Sequence, residues 1–416
     1  MPNVFNNLTA SCETTSTVLE DVPPAECKTL HITEFASGVR VHVLFIIDEL
    51  CEMGGAERVL LKMVHLLPQD RFRCSILTFR VDPQALALRE LSCPLHVFPL
   101  RKTYDWNALR VARQIRSFIK QEKVSIVHTF FETSDLWAGP IARLSGCPVL
   151  VSSRRDLGIL RSRKHRIGYK LMGRFYDAVL AVSPQVREFC IQHDGLSPAR
   201  VRTLFNGLET EQVSKSRSRS EMRQELGIAD DVPVITTVGN IRQVKGIDVL
   251  VRAAALVCRK HSKALFLIVG RKSEPEYCLQ LENRISSLGL ARNFRFLGSR
   301  EDVFAILRMS DAFCLPSRSE GFSNALIEAM AARLPCVATN VGGNSEVVKH
   351  GETGFIVANE DFEDLAARSI YLLDDPSLAT EMGLRGEEVV KSRFTVQAMM
   401  GELVQVYQDL LRQKGH

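Results

Sequence analysis

The chain has 416 residues, 45% of them hydrophobic and 24% charged, with a net charge of +5. That length exceeds one ordinary core and implies two domains of roughly 150–200 residues each, and the composition is that of a globular protein rather than a fibrous or disordered one. No apolar run approaches the roughly 18–20 residues that span a bilayer; eleven scattered cysteines without a Cys-x-x-Cys pair argue against a zinc site or a disulfide framework and for reduced core thiols in the cytoplasm.

Residues 1–38 are polar and aperiodic, which predicts a disordered tail, and they carry neither the basic nor the apolar segment of a secretory signal. From Val41 short apolar runs alternate with helical patterns: Val41–Ile47, then Gly55–Leu67, Cys74–Phe79, Trp106–Gln121, Ile126–Thr129, Ser134–Leu144, Val149–Ser152 and Val179–Val182. Continuous apolar strands alternating with amphipathic helices predict a parallel sheet covered on both faces. The pattern breaks between residues 209 and 231, a polar stretch containing Ser214 to Ser220 that reads as a linker. It resumes with Val234–Val238, Gly246–Lys260, Ala264–Val269, Ala312–Leu315, Cys336–Thr339 and Gly354–Val357. The expected fold is α/β: two Rossmann-like doubly wound domains, over 39–208 and 232–392, facing each other across a cleft lined by loops at the strand C-termini. A last helix, Val396 to Arg412, lies beyond the second series and is expected to return to the first domain.

Charge is unevenly spread. Residues 1–204 hold 27 Lys/Arg against 20 Asp/Glu, and the remainder 26 against 28. Much of the excess falls between Arg154 and Arg174, with eight Lys/Arg and one acid, Asp156. Such a stretch predicts either a solvated helix face or contact with an anionic partner, a phosphorylated substrate or acidic lipid. No nucleic-acid reader motif accompanies it.

The candidate ligand residues lie at strand ends. In the second half, Gly239-Asn240-Ile241-Arg242-Gln243-Val244-Lys245-Gly246 follows an apolar strand and precedes a helix. Gly239 permits the turn, while Arg242 and Lys245 are placed to reach a phosphate. The Gly-Lys-Ser/Thr order of a Walker loop is absent. Gly270 follows the next strand, where the backbone can approach a nucleobase closely. The most informative segment runs from Ser317 to Ala332. Glu320 and Gly321 precede a helix start at Phe322, Ser323 and Asn324, whose N–H groups suit an anion. Glu328 is the sole charge in the apolar helix that follows, and a lone carboxylate there needs hydrogen-bond donors such as sugar hydroxyls, or a cation. In the first half, Gly54-Gly55 opens a helix after the first strand, His128 at the end of another strand is a candidate catalytic residue of the cleft, and Arg154-Arg155 follows a third. Gly54-Gly55 suits a diphosphate or an acceptor, and the arginines an anionic acceptor.

Together these residues resemble family 4 of the retaining glycosyltransferases, which have the GT-B architecture of two facing Rossmann-like domains. The likeness runs from about Val41 to the C-terminus. It is most specific in Glu320-Gly-Phe and Glu328-Ala-Met-Ala, with Pro335-Cys-Val-Ala-Thr and Gly342-Gly343-Asn344-Ser345-Glu346 following in the family's order. Val182-Ser183 and Asn206-Gly207 match landmarks near the domain junction. The resemblance implies retaining, metal-independent sugar transfer from a UDP- or GDP-sugar co-substrate, without a bound cofactor, to a glycan or lipid-linked acceptor in envelope polysaccharide or lipopolysaccharide synthesis. It also implies a cytoplasmic enzyme with peripheral contact to an anionic membrane. Glu320 would contact the donor sugar, Glu328 the ribose and Lys245 the diphosphate, with Gly54-Gly55 closing over it. Two positions depart from the pattern. Asn240 stands where arginine is common, and His128-Thr129-Phe130 stands where many members carry His-x-His. A sugar-nucleotide epimerase on the same fold, or a non-catalytic sugar-nucleotide-binding protein, are the alternatives left by the sequence.

Overall fold

The computed structural model describes residues 40–51, 54–82, 91–158 and 161–415; the tail expected over 1–38 lies outside the described residues. The first domain contains β1 (Val41–Leu50), α1 (Gly55–Leu66), β2 (Phe72–Val81), β3 (Leu95–Val97), α2 (Trp106–Gln121), β4 (Ile126–Phe130), α3 (Gly139–Leu144), β5 (Val149–Arg154), α4 (Arg163–Met172), β6 (Ala178–Ala181), α5 (Pro184–Gln192) and β7 (Val201–Thr203). Its sheet has the order β3-β2-β1-β4-β5-β6-β7, with every pairing parallel. Val43 to Ile47 of β1 are fully buried, as a strand covered by helices on both faces requires. β1 and β2 run beyond their apolar runs because the register continues to Leu50 opposite Val81.

The second domain follows through two short helices, α6 (Glu211–Ser214) and α7 (Arg219–Glu225), then β8 (Val234–Val238), α8 (Ile247–Lys260), β9 (Leu265–Val269), α9 (Pro275–Ser287), β10 (Phe294–Gly298), α10 (Val303–Met309), β11 (Ala312–Leu315), α11 (Asn324–Ala331), β12 (Cys336–Thr339), α12 (Asn344–Val347) and β13 (Gly354–Val357). Helices α13 (Phe362–Asp374), α14 (Pro376–Arg393) and α15 (Val396–Gln413) complete the chain. The parallel order is β10-β9-β8-β11-β12-β13. In both sheets the strand order reverses beside the domain's first strand, at β1/β4 and at β8/β11. Such reversal points leave a crevice at the strand C-termini.

The polar stretch over 209–231 contains more than linker. Ser218 and Glu221 cap α7 reciprocally, and the helix buries Met222 and Arg223 against the second sheet. The Arg223 guanidinium donates to the carbonyls of Met309, Ala229 and Val232 and pairs with Asp311 at 3.0 Å, which satisfies its buried charge.

The chain crosses between the domains twice, and the crossings pair: Leu208 N–H donates to the Phe394 carbonyl at 2.8 Å and Val396 N–H to the Leu208 carbonyl at 3.1 Å. Helix α15 then packs on the first domain. Tyr407 meets the Phe72 ring, Asp409 pairs with Arg202, and Lys414 with Asp177.

The expectation of a cleft position for His128 is corrected here. It sits in β4 between β1 and β5, fully buried. Its Nδ1 pairs with the Tyr407 hydroxyl at 2.6 Å and its Nε2 with the Ser153 hydroxyl at 2.8 Å. Phe130, where the family pattern often has histidine, is also fully buried and packs on Phe45 and His128. Burial, reinforced by the Arg155 charge, pushes His128 from 6.5 down to about 3. The folded chain keeps this imidazole neutral, so its contribution to stability is complete above pH 6.5 and is lost as pH falls towards about 3. His128→Gln should flatten that part of the acid limb in a denaturation series. Tyr407→Phe, which leaves a buried ring nitrogen unmatched, should lower unfolding stability by about 1–3 kcal/mol.

Candidate functional site

At the reversal point of the second sheet, loops from β8 and β11 face each other. The β8 loop turns at Gly239, forms a 3-10 turn over Gln243–Lys245 and enters α8. The β11 loop carries Ser317, Arg318 and Glu320. Lys245 Nζ lies 2.6 Å from Glu320 Oε1, and the Ser317 hydroxyl donates to the same oxygen at 2.7 Å. Arg318 joins the two loops: its N–H donates to the Val244 carbonyl, and its guanidinium to the Gln243 carbonyl and to both carboxylate oxygens of Asp248. The cation and the acid expected from the sequence therefore converge, with two supporting residues, Ser317 and Arg318, that had not been expected. Both sit within the Glu320 segment, so their proximity in sequence was the available signal.

Asn240 and Gly270 frame the same crevice. Asn240 Oδ1 accepts from the Arg271 N–H at 3.4 Å. Gly270 has φ +149°, and a Cβ there would collide with the Gly239 carbonyl, so only glycine allows the β8 and β9 loops to touch. Arg242 is exposed at the head of the turn that ends in Lys245.

The second part of the site is the start of α11. Ser323 caps it, accepting from the Leu326 N–H. Gly321 lies so close to the first domain that a Cβ would collide with the Arg155 carbonyl oxygen. Beside this contact, the Arg155 guanidinium donates to Asn206 Oδ1, and Asn206 Nδ2 donates to Asn324 Oδ1 at 2.6 Å. Gly55, the first residue of α1, lies against the Asn324 amide, with Gly54 as the preceding cap residue. The glycine pair of the first domain thus meets the helix start of the second. Phe322 is buried in a ring cluster with Phe205 and Phe394, at centroid separations of 5.3–5.6 Å.

Glu328 is half-buried on α11. Burial raises its carboxyl above the ordinary value, and Arg58 and Lys62 of α1 counter that rise. The two cations belong to the first domain, so Glu328 faces the junction.

Arg155 is at this junction, where burial lowers it to about 10 against the opposing pull of Glu57. Arg154 is not, and the expectation that it faces an anionic acceptor is corrected. It is 2% exposed, paired with buried Asp135 at 2.8 Å, and its guanidinium lies over the Tyr169 ring at 3.8 Å. Arg161 stacks on that ring's vicinity at 4.0 Å and pairs with Asp194. Three of the eight cations between Arg154 and Arg174 are thus internal, while Arg163, Lys164, Arg166, Lys170 and Arg174 are exposed.

Two facing parallel-sheet domains, with a charged grip at the reversal point of the second, define the GT-B architecture. Residues 53–212 match the Glycosyltransferase Family 4 description and residues 218–389 that of Glycosyl transferases group 1. The chain belongs to this family and is a glycosyltransferase. It is 33% identical over 221 residues to N-acetyl-alpha-D-glucosaminyl L-malate synthase of Bacillus anthracis, covering 53% of this chain and 57% of that protein's length. It is 24% identical over 373 residues to an Escherichia coli UDP-Gal:alpha-D-GlcNAc-diphosphoundecaprenol alpha-1,3-galactosyltransferase, covering 87% and 95%. Among solved structures, Anabaena HepE in complex with UDP shares the fold, with a TM-score of 0.79 and 21% identity over 89% of this chain and 100% of that one.

The raised Glu328 carboxyl has a stability signature. Its contribution is complete below the ordinary value of 4.5 and is lost as pH rises through its higher native value. Glu328→Gln, which cannot ionise, should melt at a higher temperature than the parent in mildly alkaline buffer and lose that advantage below about pH 4.5. Parallel melting curves across the range would contradict this environment for Glu328.

Proposed function

We propose that this glycosyltransferase moves a sugar from a nucleoside-diphosphate donor to a hydroxyl of a glycan or lipid-linked acceptor, with retention at the anomeric carbon and without a metal ion. The observation that supports this most is the Lys245–Glu320 pair at the reversal point of the second sheet. In this reading an arriving donor separates the pair. Lys245, with Arg242 beside it, takes the diphosphate, and Glu320 accepts hydrogen bonds from the sugar hydroxyls. Phe322, Ser323 and Asn324 present the start of α11 to the same anion. Glu328 accepts from the ribose, and the base lies along Gly239, Asn240 and Gly270. Gly54-Gly55 and Arg155 close the first-domain side, against Asn324 and Gly321.

The bond from the anomeric carbon to the phosphate oxygen breaks as the acceptor oxygen bonds on the same face. The acceptor proton passes to the departing phosphate oxygen, and the nucleoside diphosphate leaves. The catalytic demand is stabilisation of charge on that leaving group, which fixed cations supply without reorganising. His128, neutral and enclosed, takes no part in this scheme. A uridine donor is favoured over guanosine because HepE was solved with UDP. The E. coli relative acts on a diphosphoundecaprenol acceptor, which supports a role in envelope polysaccharide or lipopolysaccharide synthesis at the cytoplasmic face of a membrane. There the exposed cations of α4 meet anionic lipid.

Proton NMR of the first-formed product should show the donor's anomeric configuration, and chelator should leave the rate unchanged. Lys245→Ala should reduce kcat by about 10²–10³. An inverted product, or a Lys245→Ala variant as fast as the parent, would overturn the proposal.

A further inference from the structure

The first domain holds a cavity between the start of α2 and the elements that follow β4, and the donor grip of the second domain takes no part in it. α2 comes after β3 and the π-helical turn Ser134–Ala138 after β4, so both begin at strand C-termini, the end where the crevice opens. Asp48, near the end of β1, holds that turn in place. Its carboxylate accepts from the Thr133 and Ser134 N–H groups at 2.8 and 2.7 Å. The turn carries Trp137, whose ring makes a T-shaped contact with Phe79 at 5.9 Å between centroids.

On the α2 side, one carboxylate oxygen of Asp105 caps the helix by accepting from the Ala108 N–H at 2.8 Å. The Asn107 amide donates to the Pro99 carbonyl, also at 2.8 Å. These bonds fix the segment that presents Tyr104 and Trp106, whose side chains are 81% and 86% exposed. Both rings border the cavity, which measures about 540 Å³, with half-exposed Leu109 and half-buried Trp137 along its wall. That volume is within the roughly 300–1,000 Å³ of small-molecule sites.

Among the described residues that line the cavity there is no lysine or arginine and one acid, Asp105. A phosphate therefore finds no cation on this wall, in contrast with the crevice at Lys245. Flat aromatic faces beside a few polar groups suit a neutral ring that is apolar on its faces and hydroxylated at its rim. A pyranose has that form: its axial C–H groups lie on an indole or phenol face while its hydroxyls reach Thr103, Asp105 and water. A nucleobase also stacks on such rings, but the phosphates it carries would approach Asp105. The location suits a sugar next to the reacting one. β3 is the edge strand, two places from β1 at the reversal point, or roughly 10 Å at ordinary strand spacing.

We infer that Tyr104, Trp106 and Trp137 form a carbohydrate subsite that stacks a neutral sugar unit of the acceptor, one other than the unit whose hydroxyl reacts. This rests on the glycan acceptor proposed above and narrows its class: acceptors of two or more sugar units are preferred to a single sugar. The rings touch neither the donor nor the reacting atoms, so their role is to position the acceptor.

The chain contains two tryptophans, Trp106 and Trp137, and both line this cavity, so intrinsic fluorescence reports on it without a label. The probes are neutral oligosaccharides of glucose, galactose, mannose and N-acetylglucosamine, titrated into the full-length protein. At least one should give a saturable blue shift and shield the emission from acrylamide. Trp106→Ala should weaken that oligosaccharide about tenfold in calorimetry, the loss of one stacked ring. Trp106→Phe should restore most of the affinity, and UDP should bind the parent and both variants alike. If no oligosaccharide alters the emission, or Trp106→Ala binds as tightly as the parent, the subsite is overturned and sugar transfer in the cleft still stands. An inverted product or a fully active Lys245→Ala variant would instead strike the transfer scheme and leave the oligosaccharide affinity intact. A shift produced by uridine monophosphate and lost in Trp106→Ala would assign the cavity to a nucleobase and overturn the inference. So would a shift that grows with protein concentration and no ligand, which marks self-association.

Discussion

Opposite charges brought to one point by two loops organise the crevice end of the second domain's sheet. Lys245 and Glu320 come from strands β8 and β11, adjacent at the place where the sheet's order reverses. The helices following these strands lie on opposite sides of the sheet there, so a crevice opens at the strand ends. A carboxylate largely withdrawn from water, as Glu320 is, is costly unless hydrogen bonds or a cation compensate it. Ser317 and Lys245 both act on the same Glu320 oxygen, and Arg318 holds the two loops in register. In the proposed reading an incoming anion and a polyhydroxylated group take over this geometry, one partner each.

The same segment also fixes how the second domain meets the first. Gly321 leaves room for the Arg155 carbonyl, and the Arg155, Asn206 and Asn324 side chains form a polar chain across the junction. Immediately behind them the Phe205, Phe322 and Phe394 rings come from the first crossing, the Glu320 segment and the second crossing. Polar contacts at the cleft and an aromatic cluster at the crossings place the ligand groups and the connection between domains within a few residues of each other.

The double series of apolar strands was legible because parallel strands, covered on both faces, must be apolar throughout. The same criterion misses strands that lie at sheet edges or are very short. β3 spans only Leu95–Val97, and β10 mixes exposed Arg295 with apolar neighbours. Glu320 was legible through the pattern of the whole Ser317–Ala332 segment, and Lys245 only in combination with it, since a lysine before a helix is by itself usually just solvated. His128 and Arg154 carried the same strand-end signal and proved internal. A parallel strand says nothing of which end residues still lie beneath helices, and their partners, Tyr407 and Asp135, are remote in sequence or themselves buried.

Recognition of a diphosphate by Lys245 is the claim on which the account stands, and calorimetric titration tests it most directly. The parent should bind a nucleoside diphosphate more tightly than the corresponding monophosphate, and Lys245→Met should bind the two alike. Equal affinities in the parent, or a diphosphate preference that survives in Lys245→Met, would contradict the central role assigned to the Lys245–Glu320 pair.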